Sequence, residues 1–154
     1  MMTFTIKPIA FVRNSRKNIE DDNWGAIISE IELVEEMSEE SLYGIGDFSH
    51  LEIIFYFDQV SDDMIQYSAR HPRNNTNYPK VGIFAQRGKN RPNKIGLTSV
   101  ELIKQNGRTI TVKGLDAIDG TPIIDIKPIM KEFLPKGEVK QAEWSKSLME
   151  KYWG

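Results

Sequence analysis

The chain has no cysteine among its 154 residues. That excludes disulfides, thiolate zinc sites and cysteine nucleophiles, and it suits a reducing compartment. It has only two histidines, His50 and His71, too few for a histidine-based metal centre without heavy carboxylate support, so no metal is expected. No stretch approaches the roughly 20 apolar residues that span a bilayer. The N-terminal run MMTFTIKPIAFVRNSRKN holds too short an apolar core for a signal peptide, and a cytoplasmic location is expected. A P-loop, a GxGxxG fingerprint after a strand, GxSxG and HExxH are all missing. Ser49, His50 and Asp47 do not make a hydrolase triad, because neighbours on a strand point to opposite faces.

Composition otherwise reads as an ordinary folded protein, with 40% hydrophobic and 27% charged residues. The length suits a single domain over 1–154, large enough to bury a core. The hydrophobic pattern is that of short strands. Thr3–Val12 reads as a strand interrupted by Pro8, hence an edge or a bulge. Ala26–Val34 alternates, and Leu51–Phe57 (LEIIFYF) is apolar at nearly every position, as in a strand buried on both faces. Ile95–Lys104 and Thr109–Leu115 read as a hairpin turning at Asn106–Gly107, and Thr121–Ile126 as a last strand. Arg16–Trp24 is loop-like, and acidic Glu35–Leu42 reads as a short helix or a loop. The expected fold is mainly β, a small barrel or sandwich. At the end, Val139, Ala142, Leu148, Met149, Tyr152 and Trp153 fall on helical spacing. They predict an amphipathic C-terminal helix that packs on the barrel or, alternatively, binds a partner.

Two stretches carry candidate chemistry. Arg70–Lys94 contains seven Lys/Arg and no Asp or Glu, in a chain of formal net charge -2. Such a cationic segment, held in turns by Pro72, Pro79, Pro92 and Gly88, suits an anionic partner such as a phosphate backbone; alternatively it is a solvated turn region. The second stretch is Gly114–Pro122, GLDAIDGTP. Asp116 and Asp119 either shape a tight turn or receive a ligand with hydroxyls or a positive group. Gly96, beside a strand start, permits close backbone approach. His71 is a better functional candidate than His50, which suits a turn or the interior. Tyr43, Tyr56, Tyr67, Tyr78 and Trp24 can stack on bases or fill the core, with Tyr78 and Trp24 expected to be the exposed rings.

PIAFVR (Pro8–Arg13), DFSHLEIIFYF (Asp47–Phe57), RHPR (Arg70–Arg73), VGIFAQRGKNRPNKIGLT (Val81–Thr98) and GLDAIDGTPIIDIKP (Gly114–Pro128) occur in the order of signature blocks in the TsaA-like, or TrmO, family. The chain resembles that family from Phe4 to Pro128, with 129–154 as an extension. The resemblance implies a small β-barrel methyltransferase that uses S-adenosylmethionine to methylate N6 of threonylcarbamoyl-adenosine beside the tRNA anticodon. It also implies a homodimer with the cofactor near the subunit interface. Carried over by position, the implied cofactor contacts are Asp22, Asn23, Trp24, Asp58, Gln59, Arg87, Leu97, Asp116, Ala117, Ile118 and Asp119. The implied tRNA contacts are Arg70, Arg73, Lys89, Arg91 and Lys94, with Arg87 on RNA or cofactor. Asp116, Asp119 and His71 are candidates for the base, as is solvent.

This chain departs from the common family forms at several points. Asp22-Asn23-Trp24 stands where Pro-Arg-Gln is frequent, Asp58 where His is frequent, and Asn74 where RHPRG has glycine. QRGKNRPNKIG replaces TRSPxRPNPIG, changing Gln86, Gly88, Lys89 and Lys94. The added lysines favour anion binding. Two other readings stay open: the same fold acting on another RNA or a small molecule, and a non-catalytic RNA-binding barrel.

Overall fold

The computed structural model describes every residue from Met1 to Gly154. Its strands are β1 (Ala10–Arg13), β2 (Ile28–Leu33), β3 (His50–Tyr56), β4 (Ala69–Arg70), β5 (Val81–Gly82), β6 (Ile95–Asn106), β7 (Thr109–Lys113) and β8 (Pro122–Pro128). Six of them close into an antiparallel barrel in the order β1-β2-β7-β6-β3-β8, while β4 and β5 form a separate small sheet. Closure is made where Ala10 pairs with Ile123 and Phe11 with Pro122. A closed barrel leaves no unpaired edge.

Alternation along each strand builds the core. Val12, Ile31, Leu51, Ile53, Phe55, Val100, Ile110, Val112 and Ile123 all point inward and are fully buried or nearly so. Leu115, from the chain after β7, caps the same cluster. Inside β3, Leu51, Ile53 and Phe55 are buried, whereas Glu52, Ile54 and Tyr56 are half-buried on the outer face. The expectation of burial on both faces is therefore corrected. An antiparallel barrel wall has one inner face, and the apolar outer residues of β3 are only partly covered.

The first strand begins later than its sequence pattern suggests. Phe4 and Ile6 are exposed, and the ladder starts at Ala10, past Pro8, which has no N–H to give it. The β6–β7 hairpin turns through Gly107 (φ 63°) and Arg108, from the pair Asn106–Thr109. A register shift between Leu102 and Lys104 leaves Ile103 unpaired and exposed, a bulge that the alternation did not reveal. Gly96 does make a close approach, but to protein. A Cβ there would lie 2.6 Å from the Phe55 ring.

The C-terminal helix α1 spans only Glu143–Leu148. Six residues without a side-chain N-cap do not sustain a helix alone. Trp144, Leu148 and Met149 are half-buried, while Val139 and Ala142 are exposed. Tyr152 and Trp153 lie beyond the helix, so the predicted helical face is real only over its middle. No helix is long and apolar enough to cross a membrane.

Candidate functional site

Antiparallel pairing sends alternate connections to opposite ends of the barrel. The register places the ends of β1, β3 and β7 together with the starts of β2, β6 and β8. The long connections 14–27, 57–94 and 114–121 therefore all lie at one end. The connections 34–49 and 107–108 lie at the other. Every site residue anticipated from the sequence falls in the three long connections or at the adjoining start of β6.

Asn14 ties two of these connections together. Its side-chain amide donates to Ser29 Oγ (2.9 Å) and to the Ala117 carbonyl (2.8 Å), and its backbone N–H donates to Asp119 Oδ1 (3.0 Å). The Asp119 N–H donates to the Arg16 carbonyl (2.7 Å). Lys17 Nζ takes the other carboxylate oxygen of Asp119 at 2.8 Å. Thr121 Oγ1 donates to the Ile118 carbonyl, and Gly120 sits at φ 86°, which closes the turn. Asp119 is thus a turn residue with both oxygens engaged.

The Lys17 hydrogen bond first, and the Asn14 amide second, hold the Asp119 carboxyl below the usual aspartate range. A depressed folded pKa gives stability that is present at neutral pH. It is lost as the pH falls through the ordinary aspartate range and then through the lowered folded value. Lys17→Ala is expected to raise the Asp119 titration and to flatten the acid side of the stability curve. Carboxyl NMR titration, with thermal unfolding followed from neutral into acid pH, checks both. An Asp119 midpoint unmoved by the substitution contradicts this assignment.

Arg16 shapes the 16–25 connection from within. Its guanidinium lies 4.1 Å over the Trp24 ring and donates to the Asn23 and Asp22 carbonyls, at 2.8 Å each. Trp24 is 3% exposed, so its expected role as a free stacking ring is corrected. The Arg16 cation over its face, and the Glu20 carbonyl that accepts from its ring N–H at 3.3 Å, give the indole more than solvent does. Tyr78 is half-buried. The freely exposed rings in the basic connection are Tyr67 and Phe84, the latter 79% exposed.

Arg73 reaches across to Asp22 Oδ1 at 3.0 Å, joining the basic connection to the 16–25 loop. Arg87 donates to the Leu97 carbonyl, and Leu97 itself is exposed on the outer face of β6. Asp116 accepts from Thr98 Oγ1 on β6 and from Tyr152 Oη of the C-terminal tail. Asp22, Asn23, Trp24, Arg73, Arg87, Leu97 and Asp116–Asp119 are therefore brought to one place. Asp58 and Gln59 lie exposed just beyond β3 at the same end, and their side chains bond only each other.

The basic residues have different fates. Arg70 donates to Asn74 Oδ1 (2.8 Å), and its Nε is buried without a partner. Arg91 donates to the Gln86 carbonyl at 2.7 Å, inside its own loop. Lys89 makes no ion pair. Lys94 is 8% exposed, donates to the Val60 carbonyl at 2.8 Å, pairs with Asp62 and lies 5.1 Å over the Tyr56 ring. Its anticipated place on RNA is corrected. At φ 50° it occupies the position where the common family form has proline, whose ring forbids that φ, and the turned backbone drives the ammonium inward.

Arg73, Asn74 and Asn93 also have positive φ, as does Asn23, so all five such non-glycine residues line this end. Backbone strain of this kind gathers where the surroundings fix a working geometry. Asn74, at φ 56°, stands in for the family's glycine because asparagine tolerates this region best after it. His71 Nδ1 lies 2.8 Å from the Tyr78 carbonyl. A carbonyl only accepts, so Nδ1 is the donor in this contact, and Nε2 is the ring nitrogen left for a partner. Asn14, Arg16, Thr98 and Tyr152 were not anticipated. Nothing in their local sequence marks them: the partners of Asn14, Thr98 and Tyr152 lie far along the chain, and those of Arg16 are mostly backbone carbonyls of its own loop.

Residues 18–133 match the family model for the tRNA-methyltransferase O N-terminal domain. The chain is 33% identical over 144 residues to a probable S-adenosyl-L-methionine-binding protein of Archaeoglobus fulgidus, covering 91% of this chain and 38% of that protein. It is 32% identical over 135 residues to a protein of the same description from Methanothermobacter thermautotrophicus, covering 85% of this chain and 93% of that one. It is 40% identical over 95 residues to the mouse tRNA (adenine(37)-N6)-methyltransferase, covering 62% of this chain and 22% of that protein. The fold matches a crystal structure of TrmO from Pseudomonas aeruginosa with a TM-score of 0.72 and 26% identity, over 92% of this chain and 63% of that one. The chain thus spans well under half of the Archaeoglobus and mouse relatives.

Proposed function

We propose, from the premise that this chain belongs to the tRNA-methyltransferase O family, that it is an S-adenosylmethionine-dependent tRNA methyltransferase. Its proposed target is N6 of threonylcarbamoyl-adenosine beside the anticodon. The observation that carries this reading is the convergence of Asp22–Trp24, Arg73, Arg87, Leu97 and Asp116 at one barrel end.

The donor set suits the cofactor's chemistry. A carboxylate accepts about four hydrogen bonds, and Asp116 uses two, so it keeps lone pairs for hydroxyls or an ammonium. Arg87 and Arg73 suit a carboxylate. The cofactor supplies a methyl group on a sulfonium sulfur. The chain's part is to position the acceptor in line, which is worth roughly 7–11 kcal/mol in well-oriented systems. The acceptor nitrogen must also lose a proton. Asp119 is unsuited, because the Lys17 ammonium pairs with its carboxylate and lowers its basicity, which leaves Asp116, His71 Nε2 or water. Exposed Ile95 and Leu97 on the outer face of β6 support a second copy covering this end, in keeping with a homodimer.

Arg70, Arg73, Arg87, Lys89 and Arg91 offer the cationic track for RNA. Arg70→Ala with Lys89→Ala is expected to weaken tRNA binding. It should also flatten the log–log salt slope by about 0.7–0.9 for each phosphate no longer neutralised. Lys94→Gln is expected to leave that slope alone, because its ammonium faces inward. Filter binding across a salt series checks both, and an unchanged slope in the double variant removes the two residues from the RNA surface. Calorimetric titration with S-adenosylhomocysteine tests the reading as a whole. Stoichiometric binding supports a methyltransferase, and no binding returns the chain to an RNA-binding barrel.

A further inference from the structure

We propose that the C-terminal tail, Lys151–Trp153, is a built part of the cofactor site, and that Tyr152 is a positioning residue that fixes the Asp116 carboxylate. This rests on the methyltransferase reading above. It concerns a segment that lies beyond the family-matched residues 18–133.

The chain takes a long path to reach the site. β8 leaves the barrel at Pro128, opposite Leu51, which is the end away from the site. The following residues travel back along the barrel to reach the site end. The tail then docks by backbone. The N–H groups of Asn23, Trp24 and Gly25 donate to the carbonyls of Lys151, Tyr152 and Trp153 at 3.0, 2.8 and 2.9 Å. Asn23 and Trp24 belong to the segment carried over as cofactor-binding, and Gly25 follows it directly.

Gly25 is shaped to this docking. A Cβ at this position would lie 2.2 Å from the Trp153 carbonyl oxygen, a backbone atom that cannot swing aside. Gly25 is not among the residues with positive φ. The tail's approach, not a turn conformation, is what requires glycine here.

Tyr152 then makes the link to the site. Its ring packs edge-on against Trp153 at 4.9 Å, and its hydroxyl donates to the Asp116 oxygen that Thr98 does not take. Burial first, and the Asp116 charge second, push the phenol far above its usual acidity range, while Arg87 and Arg73 oppose them. The hydroxyl therefore stays protonated and acts as a donor. Two donors from different parts of the chain, one on each oxygen, fix the Asp116 carboxylate in one rotamer.

Tyr152→Phe removes only the hydroxyl and keeps the ring. The expected result is about tenfold weaker S-adenosylhomocysteine binding by calorimetry, the scale of one lost charge-assisted hydrogen bond. The KM for S-adenosylmethionine should rise while kcat changes less, with the melting temperature nearly constant. Gly25→Ala, which displaces the tail by a backbone clash, should weaken binding at least as much. In a double-mutant cycle, Tyr152→Phe should add little in an Asp116→Asn background. Wild-type affinity in Tyr152→Phe overturns the proposal and leaves the methyltransferase reading intact. Tighter binding in Gly25→Ala also overturns it, since the tail would then be an occluding strap. A wild-type protein that binds no S-adenosylhomocysteine removes both readings together.

Discussion

Asp116→Ala is expected to weaken S-adenosylhomocysteine binding on the order of 100-fold and to reduce methyl transfer at least as far. Asp116 is where the barrel wall and the tail meet. Thr98 Oγ1 and Tyr152 Oη both donate to it, and the Tyr152 hydroxyl is held protonated beside it. Truncation removes the acceptor for a ligand and also leaves two hydroxyls without a partner, at a cost of about 1–3 kcal/mol for each buried unsatisfied group. Asp116→Asn keeps the shape and one acceptor oxygen, so it separates charge from packing. If binding in Asp116→Ala stays within twofold of wild type, Asp116 is a structural residue and the site must be redrawn around Arg87.

Phe55→Ala is expected to destabilise the fold by about 3–5 kcal/mol. Phe55 is 2% exposed, lies edge-on to Phe57 at 5.2 Å and fills the space that Gly96 leaves open. Nothing nearby collapses easily into the vacated volume, because β3 and β6 pair in unbroken register from His50–Glu101 to Tyr56–Ile95. For a domain of this size the loss corresponds to a melting temperature lower by roughly 10 °C or more. Calorimetry measures it directly. A loss under about 1 kcal/mol contradicts the assignment of Phe55 to the centre of the core.

Much of the barrel was legible because alternation survives wherever a strand has one inner face. Ala26–Val34 and the Asn106–Gly107 hairpin are examples. Leu51–Phe57 misled because its outer positions, Ile54 and Tyr56, are apolar too, so composition hid the period. The tail misled in the opposite sense. Helical spacing covers Val139 to Trp153, but the structure uses Tyr152 and Trp153 in a segment past the helix, since three backbone bonds to 23–25 outweigh one more helical turn.

At the site, the residues in long sequence blocks, Arg87, Leu97 and Asp116–Asp119, could be read from the chain. Their partners could not. Asn14 holds Ala117 and Asp119 across more than 100 residues, and Tyr152 reaches Asp116 across 36. The charge pattern marks a basic segment but not where each of its side chains faces. Lys94 counts as a basic residue in any window, yet its backbone at φ 50° accompanies an ammonium buried on the Val60 carbonyl. Whether a cation faces solvent depends on a φ value that no composition carries.

The central claim is that this barrel end moves a methyl group onto tRNA. The most direct measurement is nucleoside mass spectrometry of tRNA carrying threonylcarbamoyl-adenosine, after incubation with the protein and methyl-labelled S-adenosylmethionine. The predicted result is label on N6 of that nucleoside, lost in Asp116→Ala. Label on another nucleoside would contradict the assigned target. No label on any nucleoside, from protein that binds S-adenosylhomocysteine, would contradict the claim that tRNA is the substrate.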